Sequence, residues 1–133
     1  EHKSNNIAVR RKLFIESFSR SFKGLHKANV YHADLKGGNI LVKEIGENKW
    51  EFFYLDLDTV SFKKVITESE IMKNLAQLNA SLPNDFSFSD RVRFFKNYTG
   101  RGKLTQYDKL LIRKVVKASI KRNHFWKPGE SKN

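Results

Sequence analysis

The chain contains no cysteine, and its 133 residues include only two prolines and one methionine. The absence of cysteine excludes a disulfide framework and a thiolate metal site, and it favours a reducing compartment such as the cytoplasm. No apolar run approaches the roughly 20 residues that a membrane-spanning helix requires. The sequence does not start with a charged segment followed by an apolar one, the pattern that would indicate a signal peptide. These absences predict a protein that is soluble or peripheral to a membrane.

The apolar content is high enough for one compact domain. Hydrophobic residues make up 39% of the chain and aromatic residues 13%, including eleven phenylalanines. The closing stretch, KPGESKN, is polar and rich in helix breakers, so residues 124–133 are predicted to form a loose tail. Because the chain begins at Glu1 without a methionine, next to a helical pattern, we expect that an upstream part has been removed.

The net charge of +12 is distributed unevenly along the chain. Residues 90–122 carry eleven Lys or Arg against only Asp90 and Asp108, whereas residues 32–58 hold six acids against three lysines. An acidic cluster in a basic protein suggests cation binding, and the basic surround suggests an anionic partner such as phosphate, nucleic acid or a lipid surface. A solvated basic face without a partner is the plainer alternative.

Hydrophobic periodicity predicts a mostly helical fold with a small β-hairpin. Apolar residues at helical spacing, from Ile7 to Leu25, predict an amphipathic first helix that is closed at Asn29. Short strands follow at 30–31, 39–42 and 50–55, the last two joined by a turn at 46–49. Three more helices are predicted. The first begins at a capping box of Thr67 and Glu70 and runs to about Asn79, and the second begins at a cap at Ser89 and runs through Tyr98. The third spans 105–122 and directs four residues inward: Leu110, Leu111, Val115 and Ile120.

The stretch VYHADLKGGNILV, residues 30–42, carries the chemistry. In-line phosphoryl transfer requires a carboxylate for the attacking hydroxyl, oxygen ligands for magnesium and a cation for the transferred phosphate. Asp34 is suited to be the carboxylate, Lys36 the cation and the Asn39 amide oxygen a metal ligand. A hairpin after Asn39 would return Asp56 toward it. We call residues 32–39 the Asp34 loop and residues 55–59 the Asp56 loop.

These motifs resemble those of protein-kinase-like enzymes. The spacing His32-x-Asp34-Leu35-Lys36-x-x-Asn39 resembles their catalytic loop, and FYLDLD, residues 53–58, resembles their metal-binding loop. Asp58 stands where protein kinases have glycine, which points toward the small-molecule branches. Together with NLAQLNASLP and FSDRVRFFKNY, the motifs are similar to those of the Kdo/WaaP-type lipopolysaccharide kinases over about residues 7–122.

The resemblance implies transfer of the ATP γ-phosphate to a Kdo or heptose hydroxyl of the lipopolysaccharide inner core, at the cytoplasmic face of the inner membrane of Gram-negative bacteria. Asp34 would be the catalytic base, Lys36 would contact the γ-phosphate, and Asn39 and Asp56 would bind Mg²⁺. Asp58 would be a second metal contact. His32 would hydrogen-bond to the backbone of the Asp56 loop. The basic helices would suit an anionic membrane surface.

The family pattern also includes parts that this chain lacks. Nothing before Asn29 supplies a glycine-rich loop, a strand lysine or its partner glutamate, so residues 1–123 are interpreted as the C-terminal lobe of a kinase without the N-terminal ATP-binding lobe. The isolated fragment is therefore expected to be inactive or very weakly active.

Other functions remain open at this point. A related kinase acting on an aminoglycoside, choline or another small alcohol would share the first two motifs, and a pseudokinase would keep the fold without the reaction. A non-catalytic module that binds nucleic acid or anionic membrane would explain the charge. Nucleic acid is disfavoured because electrostatic binding gives no reason for Asp34, Asn39 and Asp56 to occur at these intervals. The aromatic residues Trp50, Phe52, Phe53 and Tyr54 are predicted to alternate in burial in the hairpin rather than to stack on bases.

Overall fold

The computed structural model describes residues 2–122, which contain four α-helices and two separate antiparallel pairs of strands. In chain order the elements are α1 His2–Lys27, β1 Val30–His32, β2 Ile40–Gly46, β3 Lys49–Tyr54, β4 Val60–Phe62, α2 Glu68–Ser81, α3 Phe88–Thr99 and α4 Gln106–Lys121. The predicted tail at 124–133, which includes Trp126, lies outside the described residues. Within the part described, no helix is both long and apolar enough to cross a membrane.

The long first helix forms as its apolar spacing predicts. Phe18 and Phe22 are buried against α3, where the Phe18 ring lies 5.2 Å and the Phe22 ring 5.6 Å from that of Phe94. Ile7, at the start of that apolar spacing, is 67% exposed and lies outside the core. Asn29 ends this region with a φ of 58°, the left-handed conformation that was expected of it.

The hairpin of β2 and β3 is confirmed, and its inner face packs on α1. Trp50, Phe52 and Tyr54 share the half-buried face, as alternation along a strand requires, and the Phe52 ring stacks 5.0 Å from that of Phe18. Phe53 points the other way and is exposed, so the predicted alternation in burial is confirmed. The aromatic residues of the inner face thus serve packing between the hairpin and the first helix.

A second pair of strands was not predicted. β1 pairs with β4, with Val30 opposite Phe62 and His32 opposite Val60. Strands of three residues are too short to show a period, so their pairing is decided by the fold around them. This pairing brings the start of the Asp34 loop beside the end of the Asp56 loop.

The last three helices each begin at a capping box. The box at Thr67 and Glu70 is confirmed. The predicted cap at Ser89 is wrong, because Ser87 caps α3 together with Asp90 and Ser89 lies inside the first turn. A third box, Thr105 with Asp108, begins α4.

The inward face of α4 differs from the prediction in part. Val115 is buried and Leu111 is partly buried, but Leu110 is 44% and Ile120 50% exposed. The helix packs on α2 through a face that includes buried Ser119, whose hydroxyl lies 2.9 Å from the Asn79 amide. Polar residues thus occupy places in the α2–α4 contact that hydrophobicity alone assigns to leucine and isoleucine.

We expect Phe22→Ala to lower the free energy of unfolding by about 3–5 kcal/mol, because Phe22 is fully buried and its removal leaves a cavity between α1 and α3. Phe62→Ala is the matched control, since Phe62 is 84% exposed, and it should cost less than about 1 kcal/mol. Urea denaturation followed by circular dichroism measures both. Equal losses would contradict the assignment of the core.

Candidate active site

The Asp34 loop folds back on itself between β1 and β2. The backbone N–H of Lys36 donates to the Asp34 carbonyl at 3.0 Å, and that of Asn39 donates to the Lys36 carbonyl at 2.9 Å, closing a 3₁₀ turn over Gly37–Asn39. This tight course brings the Lys36 ammonium 3.5 Å from Asp34 Oδ2, and both side chains remain nearly half exposed. A carboxylate and a cation are therefore presented side by side to solvent.

Asn39 is oriented by the same loop. Its Nδ2 donates to the Asp34 carbonyl at 2.8 Å and to Asp34 Oδ2 at 3.3 Å. Because the amino end of the amide faces Asp34, the amide oxygen Oδ1 is directed away and is the end available as a ligand. The structure thus brings Asp34, Lys36 and Asn39 together as predicted.

His32 joins the two loops. Its ring is almost fully buried and makes two directional hydrogen bonds. Nδ1 accepts from the Asp34 N–H at 3.0 Å, which makes Nε2 the protonated nitrogen, and Nε2–H donates to the Leu55 carbonyl at 2.7 Å. The predicted structural role of His32, a hydrogen bond to the backbone of the Asp56 loop, is confirmed.

The Asp56 loop is held against Asn39 through the backbone. The Leu55 N–H donates to the Asn39 carbonyl at 2.7 Å, which places Asp56 one residue beyond that contact. Asp56 has a φ of 64°, a left-handed conformation that costs a residue other than glycine some energy. Thr59 stabilises it by donating its hydroxyl to the Asp56 carbonyl at 2.8 Å. Asp58 lies in the single 3₁₀ turn that follows and is exposed.

Three residues of α2 that the sequence did not single out hold the Asp34 loop in place. Asn74, Gln77 and Ser81 recur at intervals of three and four and share one face of the helix. Asn74 Nδ2 donates to the His32 carbonyl at 2.6 Å, Gln77 Nε2 to the Ala33 carbonyl at 2.7 Å, and Ser81 Oγ accepts from the Gly37 N–H at 2.7 Å.

Gln77 clamps Asp34 from both sides. Besides its bond to the Ala33 carbonyl, its Oε1 accepts from the Leu35 N–H at 3.1 Å. Leu35 itself is fully buried in the core. The backbone on either side of Asp34 is therefore fixed while its carboxylate projects outward. The sequence signal for this clamp was NLAQLNAS, where polar residues recur at helical spacing among apolar ones. Polar residues are unusual on the face of a helix that lies toward a core.

The network continues into α1 and α3 through His26. Its Nε2 lies 3.0 Å from Asn74 Oδ1, and its Nδ1 lies 2.7 Å from the Tyr98 hydroxyl. Because Asn74 Oδ1 can only accept, Nε2 carries the proton, and Nδ1 accepts from Tyr98. Burial lowers the pKa of His26, with the Asn74 hydrogen bond opposing that shift in part. The ring is thus held neutral at the junction of three helices.

The donors of the two loops suit a hard divalent cation. Asn39 offers an amide oxygen, and Asp56 and Asp58 offer carboxylates, which are the ligand types that Mg²⁺ prefers. Within residues 2–122, no group of three or more His, Asp or Glu side chains is close enough together to enclose a metal ion.

A sequence profile of the lipopolysaccharide kinase (Kdo/WaaP) family matches residues 2–98. The chain belongs to this family. The match includes both acidic loops and the residues of α2 that support them, so the Kdo/WaaP resemblance of the motifs is confirmed.

A solved structure, WaaP in complex with acyl carrier protein, shares the fold of this Kdo/WaaP-family chain with a TM-score of 0.72 and 19% sequence identity. The alignment covers 84% of this chain and 49% of that one, so the chain spans about half the length of WaaP. At this identity the likeness establishes that the two chains share a fold. No curated protein matches the sequence at a significant level.

We expect Gln77→Leu to lower the free energy of unfolding by about 1–3 kcal/mol, because it leaves the Leu35 N–H and the Ala33 carbonyl without their partner. Hydrogen exchange at the Leu35 amide should accelerate more than exchange in the core of α1. Lys73→Leu, an exposed change on the same helix, is the control. Unchanged exchange at Leu35 in Gln77→Leu would show that the clamp contributes nothing.

The free energy of unfolding should fall in mildly acidic solution because of His26. Since the folded-state pKa of His26 lies below the value of about 6.5 expected in the unfolded chain, the unfolded state binds more protons below that pH. The free energy of unfolding should therefore decrease from pH 7 to pH 5, and His26→Gln should flatten this slope. Tyr98→Phe removes a hydroxyl but keeps the titrating ring, so it should retain the slope. Equal slopes in wild type and His26→Gln would refute the assignment.

Proposed function

We propose that this chain is the catalytic lobe of an ATP-dependent kinase that phosphorylates a hydroxyl of Kdo or heptose in the lipopolysaccharide inner core. The observation that carries the proposal is the link between the two acidic loops. Asp34, Lys36 and Asn39 stand on one tight turn, and the Asn39 carbonyl receives the N–H of Leu55, the residue before Asp56. Family membership over residues 2–98 supports a lipopolysaccharide kinase, the broader class to which this reaction belongs.

Asp34 acts as the base in this proposal. Its carboxylate is partly exposed, and its backbone is clamped by Gln77, so it can receive the proton of an attacking hydroxyl without moving. Lys36, whose ammonium lies 3.5 Å from Asp34 Oδ2, would contact the γ-phosphate and offset its negative charge as the bond to the acceptor forms.

Asn39 and Asp56 would hold magnesium, with Asp58 as a second carboxylate contact. The cation would neutralise the charge of the ATP phosphates and align them. Hydrogen bonds within the chain hold both ligands in position. Asn39 is held by its bonds to Asp34, and Asp56 is held by the Thr59 hydroxyl and by the bond between the Leu55 N–H and the Asn39 carbonyl.

We further propose that residues 1–123 form only the C-terminal lobe and that an ATP-binding lobe elsewhere in the gene product completes the site. The described residues offer no glycine-rich phosphate loop over ATP, and the chain spans about half of WaaP. On this proposal the isolated chain transfers little or no phosphate.

The proposed location is the cytoplasmic face of the inner membrane of a Gram-negative cell, where a lipid-anchored acceptor would be met. The outer face of α4 supports this, because it exposes cations such as Lys109, Arg113 and Lys117, and the one acid of that helix, Asp108, is buried. Such a face attracts anionic lipid headgroups.

Transfer of labelled phosphate from ATP to purified core oligosaccharide by the full-length gene product tests the reaction. We expect Asp34→Asn to lower kcat by about 10²- to 10⁴-fold, the usual contribution of a general base. Asp56→Asn should cause a similar loss and raise the magnesium concentration needed for half activity. Glu47→Gln, an exposed change in the hairpin turn, should leave the rate within about twofold of wild type.

The acceptor and the mutants separate the outcomes. Transfer to aminoglycoside or choline but not to core oligosaccharide would favour a small-alcohol kinase instead. Undiminished transfer by Asp34→Asn would remove the base assignment. No transfer to any acceptor, with no ATP binding in a thermal-shift assay, would favour a pseudokinase or a binding module.

A further inference from the structure

A cleft of about 350 Å³ opens beside Asp34. Its walls are the Asp34 loop, the C-terminal half of α2 and the end of α4, and it is lined by Asp34, Lys36, Gln77, Ala80, Ser81 and Arg122. The volume lies within the range of about 300–1,000 Å³ that is typical of small-molecule sites. A hydroxyl that gives its proton to Asp34 must approach through space that this carboxylate lines.

Most polar groups of the cleft are already engaged. Gln77 and Ser81 use their side chains to bind the backbone of the Asp34 loop. Lys36 lies beside Asp34. Ala80 has no polar side-chain atom. Within residues 2–122, Arg122 is therefore the polar group of the lining whose side chain has no partner, so it is available to bind what enters the cleft.

Arg122 differs from the arginines that have partners in the structure. Arg10, Arg11 and Arg101 each form an ion pair with a carboxylate, and Arg91 caps carbonyls of the α2–α3 connection. The Arg122 side chain has no hydrogen bond or ion pair to any residue within 2–122, while its backbone N–H ends α4 at the Ser119 carbonyl, 3.1 Å away.

The charges of the cleft favour an anion. Lys36 and Arg122 together exceed the single negative charge of Asp34, and exposed lysines of α4 add to the positive potential. A guanidinium binds carboxylate and phosphate oxygens through two parallel hydrogen bonds, which gives both charge and geometric selection. A neutral sugar would leave this group without a partner.

We propose that this cleft is the acceptor site and that Arg122 binds an anionic group, a carboxylate or a phosphate, of the sugar that is phosphorylated. The inference rests on the proposed kinase function and deepens it, because it names the kind of acceptor and a residue that selects it. Arg122 acts on binding, while Asp34 acts on the hydroxyl.

Steady-state kinetics of the full-length gene product at saturating ATP test the proposal. With an anionic acceptor, Arg122→Gln should raise KM by about 10- to 100-fold, as expected for the loss of a charged hydrogen bond, with kcat within about threefold and the KM for ATP unchanged. Lys121→Gln is the matched control, because Lys121 is exposed next to Arg122 but does not line the cleft; its KM should stay within about twofold.

Two acceptor arms identify the anionic group. One acceptor carries the Kdo carboxylate and no phosphate, and the other carries a phosphate on heptose with the Kdo carboxylate reduced to an alcohol. The effect of Arg122→Gln should appear with the acceptor whose anion the guanidinium binds and vanish with an acceptor that lacks both anions. An unchanged KM with every anionic acceptor, or a raised KM for ATP instead, would overturn the assignment.

Binding of the same oligosaccharides by calorimetry, with a non-hydrolysable ATP analogue present, separates this inference from the reaction itself. If wild type binds an anionic oligosaccharide tightly and Arg122→Gln weakens that binding by about tenfold or more, the acceptor-site assignment is supported. If no phosphate transfer is seen in that case, only the proposed kinase function fails. If binding is absent, or is equal in wild type and Arg122→Gln, the inference is overturned.

Discussion

The site depends on the hydrogen bonds between one face of α2 and the backbone of the Asp34 loop. Irregular backbone that enters a protein interior must find partners for its N–H and carbonyl groups, and here Asn74, Gln77 and Ser81 supply them. With Leu35 buried beneath the loop, these bonds fix the chain on both sides of Asp34. The carboxylate is therefore exposed to solvent on a backbone that the core holds still, as the proposed role of Asp34 as a base would require.

Hydrogen bonds between the two loops also position Asp56 relative to Asp34. His32 spans from the Asp34 N–H to the Leu55 carbonyl, and the Leu55 N–H returns to the Asn39 carbonyl. Each loop thus serves as the hydrogen-bond partner of the other, and these bonds fix the position of Asp56 relative to Asn39. The left-handed backbone at Asp56 fits a segment whose course is dictated by these contacts.

Five aspartates of the chain fall into two groups with different surroundings. Asp90 and Asp108 are buried at the starts of α3 and α4, where each carboxylate accepts hydrogen bonds from one backbone N–H and from an arginine. Hydrogen bonds from Arg101 and the Thr105 backbone hold the pKa of Asp108 well below its usual range, despite the opposing effect of burial. These acids stabilise helices. Their burial leaves the surface of α4 cationic, while Asp34, Asp56 and Asp58 remain accessible to solvent.

Local sequence determined the features that neighbours in the chain control: the first helix and its end at Asn29, the hairpin, the Thr67 capping box, and the spacing of Asp34, Lys36 and Asn39, because these follow from backbone preference and short-range hydrogen bonds. The same reasoning placed a cap at Ser89 instead of Ser87, since two serines near Asp90 offer similar local signals. Only the tertiary structure decided the pairing of β1 with β4, the exposure of Leu110, the clamp from α2 and the place of Arg122 beside Asp34. Those contacts join residues tens of positions apart, and their energies exist only once the helices have packed.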